Sequence, residues 1–174
     1  LTLPNSVAYI DSNSFIFCSS LENITIPDSV KYIGNGAFQY CLSLKSISIS
    51  DSVIFIDSFA FYNCKDLQSI TIPKSVTYIG DYALVCCRSL TSITVDEENQ
   101  YYSSLDGVLF NKDKTELIQY PVGNLRKTYI IPDSVTSIVD DAFRYCESLT
   151  SVTIGNGVTS IGSGAFFNCN SLTS

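Results

Sequence analysis

The chain has 174 residues, 45 % of them hydrophobic, and contains no His, Met or Trp. Its net charge of −7 and isoelectric point near 4.3 exclude the basic surface that nucleic-acid binding requires. Without His, this chain alone holds no Ser-His-Asp triad, Cys-His pair or His-ligated metal site, and no apolar run approaches the ~18 residues of a membrane span.

From the N-terminus onward the chain repeats itself. The segment LENITIPDSVKYIGNGAFQYC (21–41) returns as LKSISISDSVIFIDSFAFYNC (44–64) and as LQSITIPKSVTYIGDYALVCC (67–87), with a period of 23. Seven units begin at Leu1, Ile24, Ile47, Ile70, Ile93, Tyr129 and Val152. The fifth (93–128) is longer than the others by 13 residues. The expected domain is therefore one solenoid over 1–174. With no Met, and with both ends at one phase of the repeat, the chain is expected to be a stretch of a longer array.

Within a unit, the L-x-x-I-x-I piece alternates apolar and polar, as a half-buried strand does. Its inward pairs are Ile24/Ile26, Ile47/Ile49 and Ile70/Ile72. Pro27, Pro73 and Pro132 follow, and a residue without an N–H ends a ladder. The V-x-x-I piece supplies a second inward pair, such as Val30/Ile33 and Val76/Ile79. Gly34, Gly80 and Gly162 then permit a tight bend. The A-F-x-x-C piece is apolar at the spacing of Ala37, Phe38 and Cys41, which predicts one helical or 3₁₀ turn packed inward. A single unit cannot bury its own apolar face, but stacked units can, rising about 4.8 Å per coil. In the enlarged unit, GVLF (107–110) and ELIQY (116–120) read as strands and NKDKT (111–115) as a polar turn, predicting a β-hairpin insertion. Ser50 and Gly155 replace the proline, Asp57 and Val139 the glycine, and Leu84 the phenylalanine. The outer units present Leu1, Leu3, Val7 and Ile10 at one end and the plain repeat at the other. Exposed rungs of this kind predict end-to-end self-association or covering by further repeats.

LTSITV (90–95), IPDSVTSI (131–138) and IGSGAFFNC (161–169) resemble the BspA-like, or Treponema-type, leucine-rich repeats. The likeness runs over essentially the whole chain, and the long unit resembles a variant of that repeat. It implies a leucine-rich-repeat solenoid, a right-handed β/α superhelix with short strands and short helical or 3₁₀ turns. It also implies a secreted or cell-surface protein associated with adhesion to host proteins, glycans or other cells. A structural spacer presenting another domain is the alternative. No enzyme motif and no cofactor is expected.

Three sets of residues are candidates for a role. Tyr9, Tyr32, Phe55 and Tyr78 recur at one repeat position, between two inward residues, and should form an outward aromatic column. Such a column either stacks ring on ring within the ladder or binds a ligand. In later units the same position is Ser137 and Ser160. Cys18, Cys41, Cys64, Cys87, Cys146 and Cys169 share another position and are expected to form a buried ladder of reduced thiols. Cys86 stands apart, expected to face elsewhere, and none of the seven fits a zinc spacing. On the first strand, Thr2, Asn23, Thr25, Ser46, Ser48, Ser69, Thr71, Ser92, Thr94, Ser151 and Thr153 form a small polar face without anchors. Asp96, Glu97, Glu98, Asp106 and Asp113 match no calcium-loop spacing and read as solvated charge. A regular stack is expected to offer no cleft that would gather them.

Overall fold

The computed structural model describes residues 1–174. The chain winds into a solenoid whose coils each carry two short strands. The L-x-x-I-x-I pieces form β2 (Asn23–Thr25), β4 (Ser46–Ser48), β6 (Ser69–Ile72), β8 (Ser92–Val95), β12 (Thr128–Ile130) and β14 (Ser151–Thr153). The V-x-x-I pieces form β1 (Tyr9–Ile10), β3 (Tyr32–Ile33), β5 (Phe55–Ile56), β7 (Tyr78–Ile79), β13 (Ser137–Ile138) and β15 (Ser160–Ile161). Insertion residues form β9 (Tyr102–Leu105), β10 (Val108–Asn111) and β11 (Glu116–Gln119).

The ladders are parallel and in register with the repeat. The pairs β2–β4, β6–β8 and β12–β14 oppose equivalent residues of neighbouring coils. So do β1-β3-β5-β7 and β11-β13-β15. Register is fixed because a slip of one residue would turn Ile24, Ile47 and Ile70 outward.

No helix forms at A-F-x-x-C, which corrects the expected helical or 3₁₀ turn. The segment is a run of overlapping i→i+3 turns: Ala37 N–H donates to Gly34, Gln39 to Gly36 and Cys41 to Phe38. Gly36 and Tyr40 have φ of 59° and 61°, and the equivalent residues of other coils also lie in the left-handed region. A left-handed residue interrupts a right-handed helix after one turn. It also swings alternate N–H groups along the stack. Gly36, Phe38 and Tyr40 donate to the carbonyls of Ser58, Ala60 and Tyr62 in the next coil. Each bend is thus a third ladder, and a helix would have spent those donors internally.

The glycine of the bend works by close approach. A Cβ on Gly34 would lie 2.7 Å from the Asp11 carbonyl carbon, and one on Gly80 would lie 2.7 Å from that of Asp57. Asp11 and Asp57 occupy the same repeat position as Gly34 and Gly80. Along these coils a residue with a side chain alternates with one without, so each bend seats on its neighbour.

The insertion is a three-stranded antiparallel meander, one strand more than the expected hairpin. Strand β9 pairs with β10 through Asp106 and Gly107, both at positive φ, and β10 pairs with β11. The β10–β11 hairpin matches the sequence reading. Strand β10 is buried on both faces and divides the interior. Leu109 joins the core of the first coils, built around Phe38, Phe61 and the ladder isoleucines. Val108 and Phe110 join a second core with Tyr120, Tyr129 and Phe143. Asn99 anchors the entry to the insertion, fully buried. Its Nδ2 donates to the carbonyls of Pro73 (2.8 Å) and Val76 (3.0 Å), and its Oδ1 accepts from the N–H groups of Tyr101 and Tyr102.

Candidate functional site

Each V-x-x-I strand is two residues long, so alternation places one residue inward and one outward. Ile10, Ile33 and Ile56 are buried, and the residue before each faces out. Tyr9, Tyr32, Phe55 and Tyr78 stand opposite one another in the register. Tyr9 is 69 % exposed, Tyr78 44 % and Phe55 42 %, while Tyr32 is half-buried. The Tyr32–Phe55 and Phe55–Tyr78 rings are both tilted pairs with centroids 6.4 Å apart. Ring-on-ring contact and outward exposure therefore coexist. Tyr32 donates its phenolic O–H to the Asp57 carboxylate, and that bond pushes its pKa up to about 12. The column ends at β7, where Tyr102 from the insertion accepts the Ile79 N–H on its phenol oxygen at 2.8 Å.

The polar face of the first ladder is flat and mostly exposed. Ser46 donates to Asn23 across coils at 2.6 Å. Ile130, 72 % exposed, stands at one position of this face and interrupts its polar character.

All seven cysteines are free thiols. Cys41, Cys64, Cys87 and Cys146 are buried, but Cys18 is exposed and Cys169 half-buried. The expectation of a uniformly buried ladder is corrected at its ends, because the outer coils are packed on one side only. Cys86 is buried too but lies outside the core that holds Cys87, as expected of a residue that faces another way, and its φ of 66° is left-handed. The ladder also has a polar component not visible in the spacing. Cys41, Cys64, Cys87 and Cys169 donate S–H to the carbonyls of Phe15, Phe38, Phe61 and Phe143 in the preceding coil, at 3.0–3.2 Å. Burial raises the Cys41 thiol to about 11 and the Cys87 thiol to about 12. Cys169 is the exception, lowered to about 7 by the hydrogen bond from Cys146 beside it.

The stack is not regular at the fifth coil and opens a cleft there, though none of Asp96, Glu97, Glu98, Asp106 and Asp113 lines it. A groove of about 520 Å³ opens between the bend of the fourth coil and those of the later coils. Its origin lies in the insertion. Leu117 pairs with Ile138, and Tyr120 stacks on Phe143 with centroids 5.1 Å apart. Only Ile118 and Gln119 separate Leu117 from Tyr120, where the next coil has Val139, Asp140, Asp141 and Ala142. The fifth bend is too short to cover the fourth. Tyr101, Tyr102, Leu109 and Ile118 are among its lining, and Asp81, Glu116 and Asp140 supply all the charge. Asp81, Asp140 and neighbouring Asp141 add to burial in raising the Tyr82 pKa, so their field converges on that phenol. Of this set the sequence flagged only the enlarged unit. The Asp106-Gly107 pair, a strong hairpin turn signal, would have revealed β9. The acidic cluster at 96–98 stays outside the groove, with Glu98 paired to Lys74 at 2.7 Å.

A family model described as the BspA type leucine rich repeat region matches residues 1–113 and 123–174, in six copies. Among solved structures, the chain is similar to the pneumococcal vaccine antigen PcpA, with TM-score 0.93 and 34 % identity over 97 % of this chain and 42 % of that one. It is similar to a leucine rich cell surface protein of Faecalibacterium prausnitzii A2-165, with TM-score 0.87 and 38 % identity over 94 % of this chain and 43 % of that one. A leucine rich repeat protein of T. pallidum shares the fold at TM-score 0.58 and 23 % identity, over 100 % of this chain and 78 % of that one. The chain spans less than half the length of the first two. No curated protein matches the sequence.

Proposed function

Because this chain belongs to the BspA-type leucine-rich repeat family, we propose that it is a non-catalytic protein-interaction module of a secreted or cell-surface protein. It works in adhesion to host proteins, their glycans or other cells. The observation that carries this reading is the aromatic column. Four rings in register line one side of the stack, three of them exposed and Tyr32 half-buried, and large aromatics dominate the energetics of protein recognition. Membership alongside surface proteins of similar structure supports the location.

A spacer role is the second reading, favoured by the flat polar face of the first ladder. Copies stacking through the exposed apolar groups of the outer coils, such as Leu1 and Ile161, fit either role.

The test is capture of the chain on immobilised matrix proteins, glycans and whole cells, beside a Tyr9→Ser/Tyr32→Ser/Phe55→Ser/Tyr78→Ser variant. The expected result is capture by at least one protein or cell surface, weakened by about tenfold or more in the variant. Unchanged capture removes the column from the site. No capture by any surface leaves the spacer.

A further inference from the structure

We propose that the groove at the fifth coil is a second binding site, and that its ligand is a short peptide segment carrying Lys or Arg. Its warrant is the bend ladder, independent of the aromatic column. In each regular coil, three alternate N–H groups of the bend donate to carbonyls of the next coil. Phe59, Phe61 and Asn63 do so to Asp81, Ala83 and Val85. The next set along the stack, Tyr82 and Leu84, donates to no protein acceptor, because the shortened fifth bend offers none there. Both residues line the groove.

Across the groove, Asp140 stands where its carbonyl would accept from a regular fifth bend, and no N–H reaches it. Beside it, Gln119 is 6 % exposed. Its Nε2 donates to the carbonyls of Tyr120 and Ala142 at 3.0 and 3.1 Å, while its Oε1 receives no protein donor. The groove thus offers donors on one bank and acceptors on the other, at the place a main chain would occupy. A peptide laid there accepts from Tyr82 and Leu84 and donates toward Asp140 and Gln119. This is the logic of strand addition, in which main-chain bonds give affinity and side-chain pockets give selectivity.

Charge sets the selectivity. Asp81, Glu116 and Asp140 line the groove with no Lys or Arg among them, and none of the three carboxylates has an ion-pair partner. A cationic side chain is complementary there, whereas an acidic one meets like charge. The volume of about 520 Å³ falls in the range of built ligand sites.

The experiment uses the 174-residue chain and arrayed, end-blocked hexapeptides. Alternate positions are Arg, Lys, Gln or Glu, and the rest are Val, Leu or Tyr. Arg and Lys sets should bind at least about tenfold more tightly than Glu sets. Binding should weaken as salt rises, and it should shift the amide resonances of Tyr82 and Leu84. Asp81→Asn/Glu116→Gln/Asp140→Asn, checked for a native melt, should remove the preference. Asp28→Asn/Asp51→Asn, on exposed turns of other coils, should leave it intact. Equal binding of all sets, no binding at millimolar peptide, amide shifts confined to other residues, or an unaffected triple variant each overturn the proposal. A dimer forming at the groove in place of peptide binding does the same. Failure here leaves the aromatic-column variant and its capture assay unaffected.

Discussion

At the scale of single residues, the repeat positions explain most side chains, and the exceptions are informative. Tyr120 occupies the position that Phe143 holds in the next coil and is fully buried among aromatic rings, with Tyr129 5.1 Å away edge-on. Its hydroxyl finds no partner, and burial raises its pKa to about 12. A buried, unpaired hydroxyl is destabilising, and phenylalanine keeps the ring without it. Tyr120→Phe should therefore stabilise the chain by about 1 kcal/mol. Thermal unfolding should register this as a rise of about 2–4 °C. A fall would show that the hydroxyl is bonded. Asn99 is the converse case, buried with four hydrogen bonds satisfied. Both residues lie one period of 23 from a regular core position, Tyr120 from Phe143 and Asn99 from Val76, so their burial follows the repeat. Whether each polar group finds a partner was not legible, because those partners come from the irregular insertion and the neighbouring coil.

At the scale of elements, the strands were legible because period-2 alternation recurs at a fixed spacing of 23, so each copy supports the others. The bend was not. Ala37, Phe38 and Cys41 have a spacing that suits a helix equally well, and the left-handed residues at Tyr40, Asn63 and Cys86 share no residue type. Stacking decides, since alternate N–H groups gain an acceptor in the next coil. The same stacking gives the bend glycines their role. Gly80→Ala keeps a backbone that alanine can adopt, but places its Cβ against the Asp57–Ser58 backbone. It should cost about 2 kcal/mol by overpacking, read as a lower denaturation midpoint at unchanged slope. A neutral result would mean that the coils are less tightly seated than the geometry implies.

At the scale of the whole molecule, the enlarged fifth unit separates two cores with β10 and interrupts the bend ladder. The seven-unit stack and the column of Tyr9, Tyr32, Phe55 and Tyr78 could be read from the repeat. The groove could not, because it arises from a shortened bend whose alignment appears only once Leu117 faces Ile138. Both proposed binding surfaces rest on this architecture, one on an unbroken ladder and one on its interruption. The most direct measurement is residue-resolved amide hydrogen exchange on the intact chain under native conditions. Phe59 and Phe61, bonded to Asp81 and Ala83, should be protected. Tyr82 and Leu84, one coil further on, should exchange faster than Phe59 and Phe61 by at least about tenfold. Equal protection of the two sets would show that the ladder runs unbroken through the fifth coil, and would contradict the account.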